Sequence, residues 1–172
     1  MRLTTRQLTL CALLTAMALA LSYLENLFPL AVPIPGVKLG LANIVTVFAL
    51  YALGPRQSLM ILAARCLLGA MFAGNMNALL FSLLGGLAAM LTMIGLVRLR
   101  RFSVYGVSVG GAAAHNCGQV AAAVLTLGSA APLYYLPILL LVSLGTGTLT
   151  GLAASGLFQA LGHTNLRYLI KE

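Results

Sequence analysis

Acidic residues are almost absent from this chain. Its 172 residues include no aspartate, and the two glutamates are Glu25 and the last residue, Glu172. Enzymes that handle diphosphate substrates through Mg²⁺ need clustered carboxylates, because Mg²⁺ prefers hard oxygen ligands. No Walker lysine motif and no serine–histidine–aspartate set occurs either, and His115 alone is a weak candidate for a catalyst. The sequence therefore favours a binding or transport role over an enzymatic one, and predicts no cofactor.

Cysteine is also scarce, and its spacing excludes the usual sites. The three cysteines lie inside apolar segments and show no CxxC spacing: Cys11, Cys66 and Cys117. Disulfide frameworks and zinc sites need paired cysteines. We expect the three thiols to be small packing residues, with no metal site.

Charged residues make up only 7% of the chain, whereas hydrophobic residues make up 61% and the mean hydropathy is +1.04. A soluble domain carries about a quarter charged residues. Apolar runs of about 20 residues, long enough to cross a bilayer, recur from end to end. The composition predicts a polytopic membrane protein.

The apolar runs predict an all-α fold with six transmembrane helices in one integral membrane domain, residues 1–172. The second and third runs are short, and the second is expected to tilt or to end below the outer interface. Short outer loops are expected at 29–38, 74–76 and 129–132. The six predicted spans are 7–28, 39–54, 57–73, 77–97, 104–128 and 133–161.

The net charge of +8 comes from short clusters between the apolar runs rather than from one basic patch. Nucleic-acid binders concentrate lysine and arginine on a solvated face, so no nucleic-acid partner is expected. With six crossings and a cytoplasmic start, eight cations face the inside, which obeys the positive-inside rule. Both termini are therefore predicted to be cytoplasmic, in a bacterial inner membrane. The eight are Arg2, Arg6, Arg56, Arg98, Arg100, Arg101, Arg167 and Lys171.

Small residues recur at every fourth position in three spans. The repeats are Ala12, Ala16 and Ala20 in the first span, Gly106, Gly110, Ala114, Gly118 and Ala122 in the fifth, and Ser143, Gly147, Gly151 and Ser155 in the sixth. Small residues let helices approach closely within lipid, where no hydrophobic force drives them together. Packing inside the bundle explains the fifth and sixth repeats. The first repeat fits either internal packing or a surface for a partner membrane protein.

Polar residues interrupt the fifth span. Helical spacing places Ser108, His115, Gln119 and Thr126 in one narrow stripe, and Asn116 beside it. Polar groups facing lipid would lack hydrogen bonds, so the stripe is expected to face the bundle interior or a cavity. Hydrogen bonds between helices are the alternative. Asn116 is the best candidate for such a bond, and His115 and Gln119 for binding a ligand.

Further polar residues gather in the outer half of the predicted bundle: Glu25, Lys38, Asn43, Arg65, Asn75 and Asn77. Together with the fifth span they predict a substrate site that opens to the outside, below the predicted outer loop 29–38, which three prolines stiffen. Two alternatives remain. Glu25 and Arg65 could form an ion pair that locks two helices, and Lys38 could extend to the interface. Three cationic or protonatable groups favour an anionic or carbonyl-rich solute.

Several segments resemble one known family. They are the run VPIPGVKLGLANIVTVFAL, the GP pair at 54–55, and the segments AARCLLGAMFAG, FSLLGGLAAM and GAAAHNCGQ. Together they resemble the Gx transporter family, also named heptaprenyl diphosphate synthase component I, over nearly the whole chain. The KLGLANI and HNxGQ segments are the most specific. The family is similar in turn to the substrate-binding S components of energy-coupling factor transporters.

The resemblance to S components implies a fold, a function and partners. S components are six-helix bundles that capture micronutrients from outside, and their outer loops and helix ends form the pocket. Small residues of their first helix contact a transmembrane coupling protein, which works with ATPase subunits. The resemblance thus implies a partner surface at Ala12, Ala16 and Ala20. A different hypothesis is a non-catalytic membrane subunit of a prenyl or quinone synthesis or electron-transfer complex. The missing aspartates argue against synthase activity in the chain itself.

Overall fold

The computed structural model describes residues 4–27 and 40–162, with the side chains of Asn26, Leu161 and Gly162 excepted. Within these ranges the fold is all-helical, as the sequence predicts, and six α-helices follow one another along the chain. They are α1 Thr5–Leu27, α2 Leu41–Ala52, α3 Pro55–Ala73, α4 Met76–Leu99, α5 Val104–Leu127 and α6 Leu136–Gly162, with a short 3-10 helix, Ala131–Tyr135, before α6.

Turn residues in the sequence set the helix ends. Pro55 begins α3, where its missing N–H costs no hydrogen bond. Gly74 ends the same helix in the left-handed conformation with φ +59°, a region that glycine enters without steric cost. Ser103 caps α5 by accepting a hydrogen bond from the Gly106 N–H at 3.3 Å. These local signals explain why the predicted spans agree closely with the observed helices.

Helix α2 is the shortest of the six described α-helices and has the largest share of buried residues. Val45, Val47 and Ala49 are almost inaccessible, and α2 contacts α1, α3, α4 and α6. Its C-terminal half meets α6 through aromatic packing, with the rings of Phe48 and Phe158 5.1 Å apart. The core around α2 also contains the free thiols of Cys11 and Cys66. The prediction that all three cysteines pack inside was wrong for Cys117, which is exposed.

Small residues allow α5 to pack tightly between α4 and α6. A Cβ atom on Gly118 would lie 2.5 Å from the Leu84 carbonyl oxygen of α4. On the other side, a Cβ on Gly147 of α6 would lie 2.6 Å from the Cα of Val109 in α5. Backbone atoms cannot move aside as a flexible side chain can, so these positions require glycine. The small residues of the fifth and sixth spans therefore serve internal packing at these points, as predicted.

Within residues 4–27 and 40–162, four helical segments are long and apolar enough to cross a membrane: Thr5–Glu25, Pro55–Ala73, Met76–Leu99 and Ala131–Ala160. Large apolar side chains on their outer faces are exposed, including Leu13, Leu67, Leu91 and Leu141. This is the surface expected of a protein surrounded by lipid, since soluble monomers rarely expose large apolar patches. The chain is therefore a membrane protein.

The helices α2 and α5, which correspond to the second and fifth predicted spans, are not among these four segments. Helix α2 has 12 residues and is about 18 Å long at 1.5 Å per residue, well short of the hydrocarbon core of about 30 Å. Helix α5 has 24 residues, which is long enough, but it contains His115, Asn116 and Gln119 within its apolar sequence. Helix α2 packs against α1, α3, α4 and α6, and helix α5 packs against α4 and α6.

Candidate functional site

A polar cavity of about 210 Å³ lies among helices α1 to α6, near the end of the bundle where α1 stops and α2 starts. All six helices contribute to its wall. Among the predicted site residues it is lined by Glu25, Asn43, Arg65, His115, Asn116 and Gln119. Residues that are far apart in the sequence thus surround one small space.

Glu25 joins the end of α1 to the start of α2. Its carboxylate accepts a hydrogen bond of 2.6 Å from the backbone N–H of Gly40. Gly40 precedes α2 with φ +75°, in the left-handed region that favours glycine. The described contact of Glu25 is thus with the backbone rather than with Arg65, so the alternative of a Glu25–Arg65 ion pair is not what the structure has.

Arg65 carries the positive charge on the cavity wall. One guanidinium nitrogen donates to the Asn43 carbonyl oxygen Oδ1 at 3.5 Å, a long hydrogen bond between α3 and α2. The Nε atom is buried and has no hydrogen-bond partner among the described residues. A guanidinium has five N–H donors, and burying one without a partner is costly. Its terminal nitrogens carry N–H donors beyond the one used by Asn43, and Arg65 lines the cavity, so it can bind further acceptor oxygens.

His115 and Gln119 lie one helical turn apart on α5 and pack against the same glycine of α4. A Cβ atom on Gly85 would lie 3.0 Å from Gln119 Cγ and 3.0 Å from His115 Cε1. Gly85 thus provides the room in which both side chains reach the cavity. Sequence reasoning missed it, although the Gly85–Gly86 pair inside an apolar helix is the signal that marks a close approach.

Asn116 links α5 to α6 at the edge of the cavity. Its Nδ2 donates a hydrogen bond of 2.9 Å to the backbone carbonyl of Leu139. This is the contact between helices that helical spacing predicts for Asn116, although the residue also lines the cavity. One of its amide N–H donors is thereby used, and the rest of the amide remains for other partners.

Three of the predicted site residues are not placed at the cavity. Lys38 lies outside the described residues. Asn75 caps α4, its side chain accepting the Asn77 N–H at 2.9 Å, and neither asparagine lines the cavity. The binding role of these two stays a prediction. The structure gives Asn75 a local role, because the turn between α3 and α4 needs a cap and asparagine is among the best caps.

The four residues of the predicted polar stripe on α5 have different surroundings. Ser108 is buried against Gly151 of α6, because the two helices cross closely at that level. Thr126 is exposed and donates to the backbone carbonyls of Ala122 and Ala123 in its own helix. Ser108 thus faces the bundle interior, as the stripe was predicted to, whereas the prediction was wrong for the exposed Thr126. His115 and Gln119 are the members of the stripe that line the cavity.

Hydroxyl groups missed by the sequence reasoning complete the polar wall: Ser22, Ser82, Thr146 and Thr150. Thr146 donates its proton to Val142 O at 3.2 Å, and Thr150 donates to Thr146 O. Because each hydroxyl has one proton, the two oxygens remain as acceptors for a ligand. Periodicity could have suggested them, since 146 and 150 are one turn apart.

A second cavity, of about 480 Å³, adjoins the first and is mostly apolar. It lies between the N-terminal half of α4, the C-terminal half of α5 and the 3-10 helix. Ala78, Ser82 and Gln119 line both cavities. No pattern along the chain indicates this space, because its walls come from α4, α5, the 3-10 helix and Leu139 of α6.

The polar cavity suits recognition rather than covalent chemistry. It presents one arginine, one carboxylate held by a backbone N–H, three amides, one imidazole and several hydroxyl oxygens. Its volume lies below the range of about 300–1,000 Å³ typical of sites for drug-sized ligands. The arrangement can hold a small polar molecule through directed hydrogen bonds, with Arg65 as a partner for acceptor oxygens.

A scan against protein-family models matches residues 14–157 to a family described as heptaprenyl diphosphate synthase component I. No curated protein and no solved structure matches the chain. The matched range extends from α1 into α6 and includes every residue of the polar cavity. The match confirms the resemblance to the family named heptaprenyl diphosphate synthase component I. The chain belongs to the heptaprenyl diphosphate synthase component I family.

Proposed function

We propose that this protein is a membrane-embedded binding subunit, similar to the S components of energy-coupling factor transporters, that captures a small solute from outside the cell. The observation that supports this most directly is the position of Arg65. Arg65 lies on the wall of the polar cavity, and its guanidinium has terminal N–H donors beyond the one that bonds to Asn43. An anionic or carbonyl-rich solute would supply the acceptor oxygens.

The proposed function includes a topology of six crossings in the bacterial inner membrane, with both termini in the cytoplasm. The charge distribution supports it, because eight cations then face inside. The polar cavity would then lie in the outer half of the bundle, near the outer ends of α1 and α3. A C-terminal reporter that is active only on the outer side would contradict this topology.

The proposed partner is a transmembrane coupling protein that works with ATPase subunits. The support is the outer face of α1, where Ala12, Ala16 and Ala20 are all exposed, whereas the buried residues of α1 include Leu14 and Ala18. The three alanines therefore take no part in the internal packing of the described bundle. They offer a partner helix a smooth surface for close approach.

A second candidate function is a non-catalytic membrane subunit of a prenyl or quinone synthesis complex. The family description favours it, since it names a component of a synthase. On this candidate the chain would form a stable complex with a partner that supplies the carboxylates. In neither case does the purified chain catalyse Mg²⁺-dependent condensation, because it contains no aspartate.

Mass spectrometry of small molecules that co-purify with the protein tests the proposed function. The protein is extracted from cells into lipid nanodiscs, and nanodiscs prepared without it are the control. We expect one polar solute to be enriched with the protein at a stoichiometry near one. Absence of any enriched solute, together with co-purification of a prenyl synthase subunit, would favour the second candidate.

A further inference from the structure

The polar and the apolar cavity share part of their walls. Ala78 and Ser82 of α4 and Gln119 of α5 line both, and Gln119 stands at the junction. Asn116 and Leu139, joined by a hydrogen bond of 2.9 Å, link them again, since Asn116 lines the polar cavity and Leu139 the apolar one. The two spaces are therefore neighbouring compartments of one region.

The chemistry of the wall changes sharply across this junction. On one side, Arg65, Glu25 and Asn43 face a space of about 210 Å³. On the other, Phe81, Val120, Ala123 and Leu127 surround about 480 Å³ with few polar groups. A purely polar solute would gain nothing from the larger space, and a purely apolar one would offer Arg65 no acceptor beyond Asn43.

From this juxtaposition we infer that the ligand is a small amphiphile. Its head, a carboxylate or another group rich in acceptor oxygens, lies against Arg65, and its hydrocarbon tail passes Gln119 into the apolar cavity. The inference rests on the proposed function and adds the substrate class. Gln119 suits the junction because its methylene groups contact the tail while its amide faces the head.

Gly85 contributes to the same arrangement. It leaves Gln119 Cγ close to the α4 backbone, with 3.0 Å to the position a Cβ would take. The Gln119 side chain therefore lies against the α4 backbone at the junction of the two cavities. A larger residue at position 85 would displace it from this place.

A series of n-alkyl carboxylates from acetate to decanoate tests the inference. Binding is measured to the full chain in lipid nanodiscs, and partition into empty nanodiscs is subtracted. Each methylene that enters the apolar cavity should tighten binding about fourfold, from the transfer of one CH₂ out of water. The increase should stop when the tail reaches the end of the cavity.

Two matched variants locate the tail. Ala123→Phe fills the apolar cavity, whereas Ala121→Phe adds the same ring to an exposed position on the same helix that lines neither cavity. Ala123→Phe should abolish the gain with tail length, and Ala121→Phe should retain it. The inference would be overturned if affinity rose equally with tail length in the two variants. It would also be overturned if wild-type affinity did not depend on tail length.

A reporter keeps the test independent of whether Ala123→Phe folds. The chain contains no tryptophan, so Phe81→Trp places a single indole in the wall of the apolar cavity. Decanoate should change its emission at saturation, and acetate should not. An identical response to both would overturn the inference.

The same experiment separates the inference from the proposed function. If acetate and decanoate bind equally and Arg65→Gln abolishes both, the proposed function stands and the amphiphile is wrong. If Arg65→Gln changes the binding of neither acetate nor decanoate, both the proposed function and the amphiphile inference are wrong.

The same head and tail can belong to a soluble carboxylate or to a membrane phospholipid. Release of a co-purified phospholipid on addition of decanoate, seen by mass spectrometry, would support the amphiphile and identify lipid as its source. Tail-dependent binding without such release would support a soluble source.

Discussion

The carboxylate of Glu25 accepts a hydrogen bond from the backbone N–H of Gly40 at 2.6 Å, joining the last turn of α1 to the first residue before α2. Both residues line the polar cavity. Glu25, the one acid among the residues that the structure describes, thus organises the wall of the site, because it fixes the start of the helix that carries Asn43.

Replacing Glu25 with alanine should lower the stability of the ligand-free protein. A hydrogen bond to a charged group contributes about 1.5–3 kcal/mol, so the loss should fall in that range. Glu25→Gln retains an acceptor oxygen, so this variant should keep a large part of the stability that Glu25→Ala loses. Thermal unfolding in nanodiscs measures both. Equal stability of wild type and Glu25→Ala would show that the contact is incidental.

The three polar residues of α5 should respond differently to truncation. Asn116→Ala removes the hydrogen bond to Leu139 and should lower stability by about 0.6 kcal/mol, the average for hydrogen bonds between membrane helices. His115→Ala and Gln119→Ala should weaken retention of the co-purified solute and change the stability of the ligand-free protein little. If all three substitutions lower stability alike and leave solute retention unchanged, the residues only join helices.

Glycine-to-alanine substitutions in α4 provide a second test of the site. A Cβ at Gly85 would crowd His115 and Gln119, whereas a Cβ at Gly95, on the same helix, would meet nothing within 4 Å. Gly85→Ala should therefore weaken ligand binding. Gly95→Ala should leave binding intact and stabilise the helix by up to about 1 kcal/mol. Binding isotherms for both variants measure this, and equal affinities would contradict the role given to Gly85.

A bulky residue at position 16 should disturb a partner and not the bundle. Ala16 is exposed on α1, so Ala16→Leu should leave thermal unfolding unchanged and reduce capture of the coupling protein. Ala63→Leu, at an exposed alanine of α3, is the matched control and should affect neither. Cross-linking in native membranes detects the partner. Unfolding of Ala16→Leu without any cross-linked partner would mean that the alanines serve packing.

Helix positions were predictable because their signals are local. The fifth span was predicted at 104–128 and is observed at Val104–Leu127, since Ser103 caps its start and Gly128, with φ +60°, follows its end. The second span was predicted at 39–54 and is observed at Leu41–Ala52, short enough that its crossing remains a proposal.

The site was only partly predictable because its walls depend on how helices cross. Spacing along α5 indicated that His115 and Gln119 share a face, and they do line one cavity. The same spacing could not reveal that Gly151 of α6 covers Ser108. Gly85 and the apolar cavity depend on the distance between α4 and α5, which no periodicity along one helix contains.

The most direct test of the central claim compares two arginines of α3. Arg65 lines the polar cavity from the middle of α3, whereas Arg56 is exposed at the N-terminal end of the same helix. Native mass spectrometry measures the fraction of protein that retains the co-purified solute in the wild type, Arg65→Gln and Arg56→Gln. We expect Arg65→Gln to lower the affinity about tenfold or more, since a hydrogen bond to a charged group contributes about 1.5–3 kcal/mol, and Arg56→Gln to match the wild type. Equal occupancy in all three would contradict a solute bound in this cavity.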